Sequence, residues 1–215
     1  MFEHIEHVQP QDIERRSFEI ITAELEEKGI QIPEDRAFLI KRAIHTTADF
    51  EYASTLRFSP NAIPTIASLI REGSIIVTDT NMGLSGINKN EVAKYGGGVR
   101  CFMAEPDVAE EAKSRGVTRA TVSMERAAKL DKKVIFAIGN APTALLELRR
   151  MYDEKIYTPA FVIGVPVGFV NVEVAKEMIM ETDIPYIINQ GRKGGSNVAA
   201  AICNAVLYEM RKGNI

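Results

Sequence analysis

The chain carries three histidines, and only one of them, His45, is expected to lie inside folded structure. His4 and His7 stand in the first seven residues, where chain ends are commonly loose. His45 falls in Lys41-Arg-Ala-Ile-His-Thr-Thr-Ala-Asp49, at the end of an amphipathic run. Imidazole titrates near neutral pH, so it can both give and take a proton there. Arg42 precedes it by one helical turn, and Asp49 follows by another. Arg42 either holds an anionic ligand near the ring or pairs with a carboxylate of the protein. Asp49 either orients the imidazole or sits solvated at the helix end. Periodicity alone leaves His45 equally a proton-transfer group or a satisfied core histidine.

A second set of candidates comes from four stretches that mix glycine with polar residues or proline directly after apolar runs. These are Thr78-Asp-Thr-Asn-Met-Gly83, Gly139-Asn-Ala-Pro-Thr143, Gly164-Val-Pro-Val-Gly-Phe169 and Asn189-Gln-Gly-Arg-Lys-Gly-Gly-Ser196. One such stretch is an ordinary turn. Four in succession imply a wide, polar cleft lined by backbone. In Gly191-Arg-Lys-Gly-Gly-Ser196, two cations and exposed amides lead into an alanine-rich helix. That combination suits an anion, a carboxylate as well as a phosphate. The loop has neither the GxxxxGK[ST] nor the GxGxxG spacing of nucleotide sites. Asn140 and Thr143 either bind ligand or cap the following helix, and Asp79 is either catalytic or a structural cap. Ser17, in mid-helix, would usually face solvent, and Arg119 would usually lie at the surface.

The elements that must position these groups change character along the chain. Helices are expected over Gln11–Lys28, with Ile13, Phe18, Ile20, Ile21 and Leu25 on its apolar face, over Glu34–Thr47, and from a Ser59-Pro60 start to Glu72. Beyond residue 73, strands are expected at Ser74–Asp79, Val99–Phe102, Lys133–Ile138, Ala160–Gly164 and Pro185–Ile188. Helices at Asn88–Tyr95, Asp107–Ser114, Thr121–Leu130, Thr143–Tyr152, Val172–Glu181 and Ser196–Met210 alternate with them. Apolar strands joined by helical crossovers make a parallel sheet covered on both faces. The expected fold is three-layer α/β/α, with a mostly parallel sheet of about five strands and an N-terminal helical segment, in a single domain over residues 1–215.

Composition narrows the function. The 215 residues carry 26 basic and 29 acidic side chains, a net charge of -3, without the basic excess of a nucleic-acid protein. Cys101 and Cys203 form no metal spacing and read as free thiols of a reducing cytoplasm. No apolar run reaches the ~20 residues of a membrane helix. The first residues lack an apolar leader. One credible histidine gives thin support for metal ligation, and no GxSxG elbow marks a hydrolase.

Several motifs together resemble the precorrin-8X methylmutase family, whose anaerobic counterpart acts on cobalt-precorrin-8. They are Arg16-Ser-Phe18, Arg42-Ala-Ile-His45, Phe58-Ser-Pro60, Asp79 to Met82, Gly116-Val-Thr-Arg119, Gly139-Asn-Ala-Pro-Thr-Ala-Leu145, Gly164-Val-Pro-Val-Gly-Phe-Val170 and Gly191-Arg-Lys-Gly-Gly-Ser196. The resemblance covers nearly the whole chain in order. It implies an isomerase of corrin-ring biosynthesis that moves a methyl group from C-11 to C-12. It places the essential histidine on His45 and substrate contacts on Ser17 and Arg119. Arg42, Thr46, Asp79, Met82, Asn140, Thr143 and Gly168 complete the expected contacts, together with Gly191, Arg192, Gly194, Gly195 and Ser196 of the anion loop. The resemblance further implies a homodimer, no added cofactor and a corrinoid substrate with or without its own cobalt. Neither nucleic acid nor membrane is an expected partner. Ala120 departs from the family pattern, in which serine commonly follows the arginine. A corrinoid carrier using His45 as an axial ligand is the alternative, and a nucleotide-dependent enzyme on a similar sheet is a third.

Overall fold

The computed structural model describes residues 6–215, so His4 lies outside the described residues. The chain divides into two compact units, one ending at Ser54 and the other running over Thr55–Ile215.

The first unit is helical. A 3₁₀ turn at Pro10–Asp12 leads into α1 (Ile13–Glu27), and α2 (Ala37–Thr47) follows a second such turn. Leu39, Ile40, Ala43 and Ile44 of α2 are buried, as are Ile21 and Leu25 of α1. The Lys41 ammonium, on α2, donates to Thr22 Oγ1 of α1 at 2.8 Å. The apolar face expected of α1 is narrower than its sequence implies. Ile13 is 54% exposed and Ile20 40% exposed, because both lie about a quarter-turn from the Ile21–Leu25 stripe that meets α2. Helix α2 stops at Ala48, which takes a left-handed φ of 54° and donates its amide hydrogen to the Ile44 carbonyl. A single helical turn, α3 (Tyr52–Thr55), carries the chain into the second unit.

That second unit shows the expected three-layer α/β/α arrangement. Its strands are β1 (Leu56–Phe58), β2 (Ile75–Thr78), β3 (Gly98–Arg100), β4 (Val134–Ile138), β5 (Phe161–Gly164) and β6 (Tyr186–Asn189). They form one sheet in the order β1-β6-β5-β4-β2-β3, parallel throughout except for β1 against β6. Every residue of β4 is buried, as a central strand covered on both faces requires. The helices are α4 (Ala62–Arg71), α5 (Asn81–Gly86), α6 (Lys89–Lys94), α7 (Pro106–Arg115), α8 (Arg119–Ala127), α9 (Pro142–Asp153), α10 (Val172–Met180) and α11 (Ser196–Lys212). Side chains alternate between the sheet faces. Val77, Phe136, Ile138, Val162 and Ile188 join the core beneath α7 to α10. Ile76, Ile135, Ala137, Ile163 and Ile187 are buried on the opposite face, where α11 packs on β4 and β5 beside α4 and α5.

The sequence predicts five strands and the sheet has six. The additional one, β1, is three residues long and antiparallel. Its neighbour Ser59 also departs from expectation. Ser59 does not cap α4, whose N-cap is Asn61 with a φ of 57°. Its hydroxyl accepts from the Tyr186 amide at 2.9 Å, and its amide donates to the Tyr186 carbonyl at 3.1 Å. A serine that reads as a helix start therefore extends the sheet edge. Among the described residues, no helix is long and apolar enough to cross a membrane.

Candidate active site

The candidate residues fall on both units. In the first, His45 occupies the last turn of α2. It is exposed rather than buried, because the apolar side of α2 belongs to Leu39, Ile40, Ala43 and Ile44. The imidazole stacks on the Phe18 ring of α1, with centroids 5.5 Å apart and planes 16° from parallel. The Arg42 guanidinium sits 4.8 Å from the same ring and pairs with Glu14. Both outlooks for Arg42 narrow accordingly, since a carboxylate of its own unit holds it. The Asp49 carboxylate accepts from the Glu51 amide at 3.0 Å, closing the turn after α2. Ser17 and Thr46 turn their hydroxyls back onto their own helices, to the Ile13 carbonyl and the Arg42 carbonyl, each at 2.9 Å.

In the second unit the strand order reverses between β2 and β4, since β3 lies on one side of β2 and β4 on the other. Ligand crevices of doubly wound sheets open beyond the carboxyl ends of strands at such a point. Asp79 stands there, at the end of β2. Its carboxylate accepts from the amides of Gly139, Asn140 and Ala141 at 2.9, 2.8 and 2.6 Å. Burial pushes its carboxyl above the usual carboxylate range, while those three amides pull the other way. Asp79 thereby caps α9 from a different strand. Asn140 and Thr143 are not the caps, because the N-cap position is Ala141 and its amide is held by Asp79. Asn140 is exposed, and Thr143 accepts from the Thr118 hydroxyl at 3.1 Å. The next residue after Thr118, Arg119, reaches the Met103 carbonyl at 3.4 Å.

The four strand ends expected to line a cleft are tied to one another. Thr80 and Ser196 share a hydroxyl hydrogen bond of 2.7 Å. A Cβ on Gly139 would stand 2.5 Å from Ser196 Cα, so only glycine lets α11 begin against the end of β4. The Gly195 amide donates to the Val165 carbonyl at 2.9 Å, and the Gly168 amide to the Arg192 carbonyl at 3.1 Å. A Cβ on Gly194 would fall 2.0 Å from the Val165 oxygen. Gly191 turns the loop with a φ of 82°. No side chain caps α11, whose first turn starts at Ser196. Arg192 pairs with Glu173 at 3.0 Å and lies 5.6 Å from the Phe169 ring. Phe169 and Val170 stand 82% and 78% exposed beside this loop, and Met82 at the start of α5 is 68% exposed. Phe169 and its neighbour Val170 thus form an exposed apolar ledge beside the Arg192 cation and its loop.

Four participants lie outside the expected set. Phe18 belongs to the Arg16-Ser-Phe18 motif but reads there as a core residue. Thr80 caps α5 by accepting from the Gly83 amide at 3.0 Å, a Thr-x-x-Gly spacing visible in the sequence. Asn189 donates to the Lys193 carbonyl at 2.9 Å and accepts from Thr55 at 2.7 Å. Lys176 is fully buried and donates to the Gly191 and Lys193 carbonyls at 2.6 and 3.0 Å. Its signal is a lysine at the helical spacing of Val172, Ala175 and Ile179, the apolar stripe of α10. Among the described residues no three His, Cys, Asp or Glu side chains are grouped to hold a metal.

The precorrin-8X methylmutase family model matches residues 12–209, spanning both units. The chain is 46% identical to a cobalt-precorrin-8 methylmutase of Priestia megaterium, covering 93% of this chain and 88% of that protein. It is 44% identical to the cobalt-precorrin-8 methylmutase of Salmonella typhimurium, covering 95% and 97%. The crystal structure of a precorrin-8X methylmutase from Thermus thermophilus superposes with a TM-score of 0.84 at 35% identity, covering 95% of this chain and 98% of that one. A methylmutase is an isomerase that shifts a methyl group within one molecule, and this chain belongs to the precorrin-8X methylmutase family.

Proposed function

We propose that this protein moves a methyl group from C-11 to C-12 of precorrin-8X or its cobalt form, with His45 as proton donor. The observation that carries the role of His45 is its exposed imidazole, fixed in plane by the Phe18 ring. Protonation of the conjugated macrocycle makes it electron-poor, and the methyl migrates with its bonding pair from one ring carbon to the next. The ring then loses a proton back to the imidazole, so substrate and product remain isomers. General acid help of this kind is worth about 10²–10⁴-fold.

The second unit supplies recognition. The carboxylate arms of the substrate lie against Arg192, the amides of residues 192–194 and the start of α11, and its flat apolar face lies on Phe169 and Val170. Met82, Arg119, Asn140, Thr143 and Gly168 are the further contacts of this unit, and Asp79 acts through the amides it holds; Ser17, Arg42 and Thr46 are the contacts proposed for the first unit. No cofactor is added, and any cobalt belongs to the substrate. We further infer a cytoplasmic homodimer, supported by the outward Ile13 and Ile20 of α1; sedimentation of the purified protein tests its stoichiometry.

The decisive experiment incubates the purified enzyme with precorrin-8X and with its cobalt form, following the absorbance change to the corrin. Turnover by the wild type and a loss of at least a hundredfold in His45→Ala are expected. Binding without turnover overturns the enzymatic reading, and normal turnover by His45→Ala overturns the proton-donor role.

A further inference from the structure

Lys176 is the one lysine in the buried polar set, and both of its hydrogen bonds within the described structure end on carbonyls of a single loop. Burying an ammonium is costly without compensating bonds, and here burial pulls it down to about 8. Glu173, one turn earlier on α10, pairs with Arg192. The position could have held an apolar residue, as its neighbours on the stripe do.

Three successive carbonyls of the loop are committed inward. That of Gly191 accepts from Lys176, that of Arg192 accepts from the Gly168 amide, and that of Lys193 accepts from both Lys176 and Asn189. A trans peptide carries its N–H opposite its C=O. Fixing these carbonyls therefore turns the amide hydrogens of the same three peptides, those of residues 192, 193 and 194, the other way. The φ of 82° at Gly191 gives the backbone the reversal this needs. Successive amides turned to one side make a concavity for an anion. The ammonium beneath them adds a full positive charge shielded from solvent, where electrostatic attraction is stronger than in water.

We propose that Lys176 is a positioning residue for the reaction, holding the Gly191–Gly195 loop so that the amides of residues 192–194 are presented to a carboxylate arm of the substrate and supplying buried positive charge behind them. This rests on the reading of that loop as the site of a substrate carboxylate. Lys176 touches no substrate itself. Its contribution is selectivity for the ionised arm over a neutral one of nearly the same shape.

The test titrates the protein with cobyrinate, a corrin bearing carboxylate arms, and with its fully methyl-esterified form, reading the visible absorbance of each. Wild type is expected to bind the acid at least tenfold more tightly than the ester. Lys176→Met should cut that preference at least fivefold while leaving ester affinity within twofold. Should Lys176→Met not fold, Lys176→Gln, which keeps a donor and lacks the charge, is held to the same criteria. An unchanged acid preference in the folded variant overturns the role of Lys176 and leaves the loop reading standing. Equal weakening of acid and ester also overturns it, since a general structural defect does not discriminate charge. Wild type showing no preference overturns the loop reading, and the role of Lys176 with it.

Discussion

The imidazole of His45 and the ring of Phe18 lie face to face, 5.5 Å apart and 16° from parallel. The stack joins the last turn of α2 to the first half of α1 and restricts rotation of the imidazole. Replacement by Phe18→Leu keeps apolar bulk and removes the flat partner. Misorientation of a catalytic group by about 1 Å can cost on the order of 10²-fold. A fall in kcat of about tenfold is expected, with KM changed much less, because in the proposed mechanism the ring orients His45 as the acid. Steady-state kinetics on the corrin product check this, and unchanged kcat would show that the stack is dispensable.

Asp79 is held by three amides across the reversal of the sheet. Asp79→Asn keeps the shape but replaces one acceptor oxygen with a donor that faces amide donors. Removing one side of a buried charged arrangement costs about 3–5 kcal/mol. For a chain of this size that lowers Tm by roughly 6–20 °C. Thermal unfolding followed by circular dichroism reads the shift.

Gly139 and Gly116 should respond in opposite order to their backbone angles. Gly116 has a φ of 65° with nothing near its absent Cβ, whereas a Cβ on Gly139 meets the Ser196 backbone at 2.5 Å. Gly116→Ala carries left-handed strain of about 1–2 kcal/mol. Gly139→Ala must push the start of α11 off the end of β4, at about 1–3 kcal/mol or more. It should also weaken substrate binding, which Gly116→Ala should spare. Urea unfolding together with KM separates the two.

The thiols are predicted to be sluggish. Burial pushes Cys203 up to about 12, and burial also raises Cys101, which is only partly covered. Thiolate is the reactive form. At pH 8 a disulfide reagent should label Cys101 slowly in the native protein and Cys203 only after denaturation. Rapid modification of Cys203 in the folded state would contradict its packing in α11.

Lys176 also makes a pH prediction. Its folded value of about 8 lies below the ordinary 10.5. Between those values the unfolded chain binds more protons than the native one, so stability rises with pH. The penalty is fully present below about pH 8 and is relieved as pH approaches 10.5. At 1.36 kcal/mol per unit the difference is about 3 kcal/mol. Other groups titrate in that range, so the quantity to measure is the wild-type stability minus that of Lys176→Met from pH 7 to 10. That difference should climb with pH, and a flat difference would refute the shift.

Most of the sheet is legible because β4 and β5 are continuous apolar runs and the crossover helices carry clear periodicity. β1 is not, since Leu56-Arg-Phe58 is too short to show alternation and its pairing with β6 is set by residues over a hundred positions away. Ser59 misleads for the same reason, its helix-start spelling being overridden by Tyr186. Within the candidate site, the glycines and the Gly191–Ser196 loop announce themselves by composition. The work of Asp79 does not, because a strand-end aspartate has the same spelling whether it meets a ligand or three distant amides. The exposure of His45 is equally hidden, since periodicity locates the apolar stripe of α2 but not how widely α1 covers it.

The two outermost strands of the sheet, β1 and β3, are only three residues long each. Short edges offer little template for a second chain to pair by backbone. Copies of this protein should therefore resist ribbon-like growth at high concentration, and any partnership between them must be made through helices and loops, where side chains choose the partner.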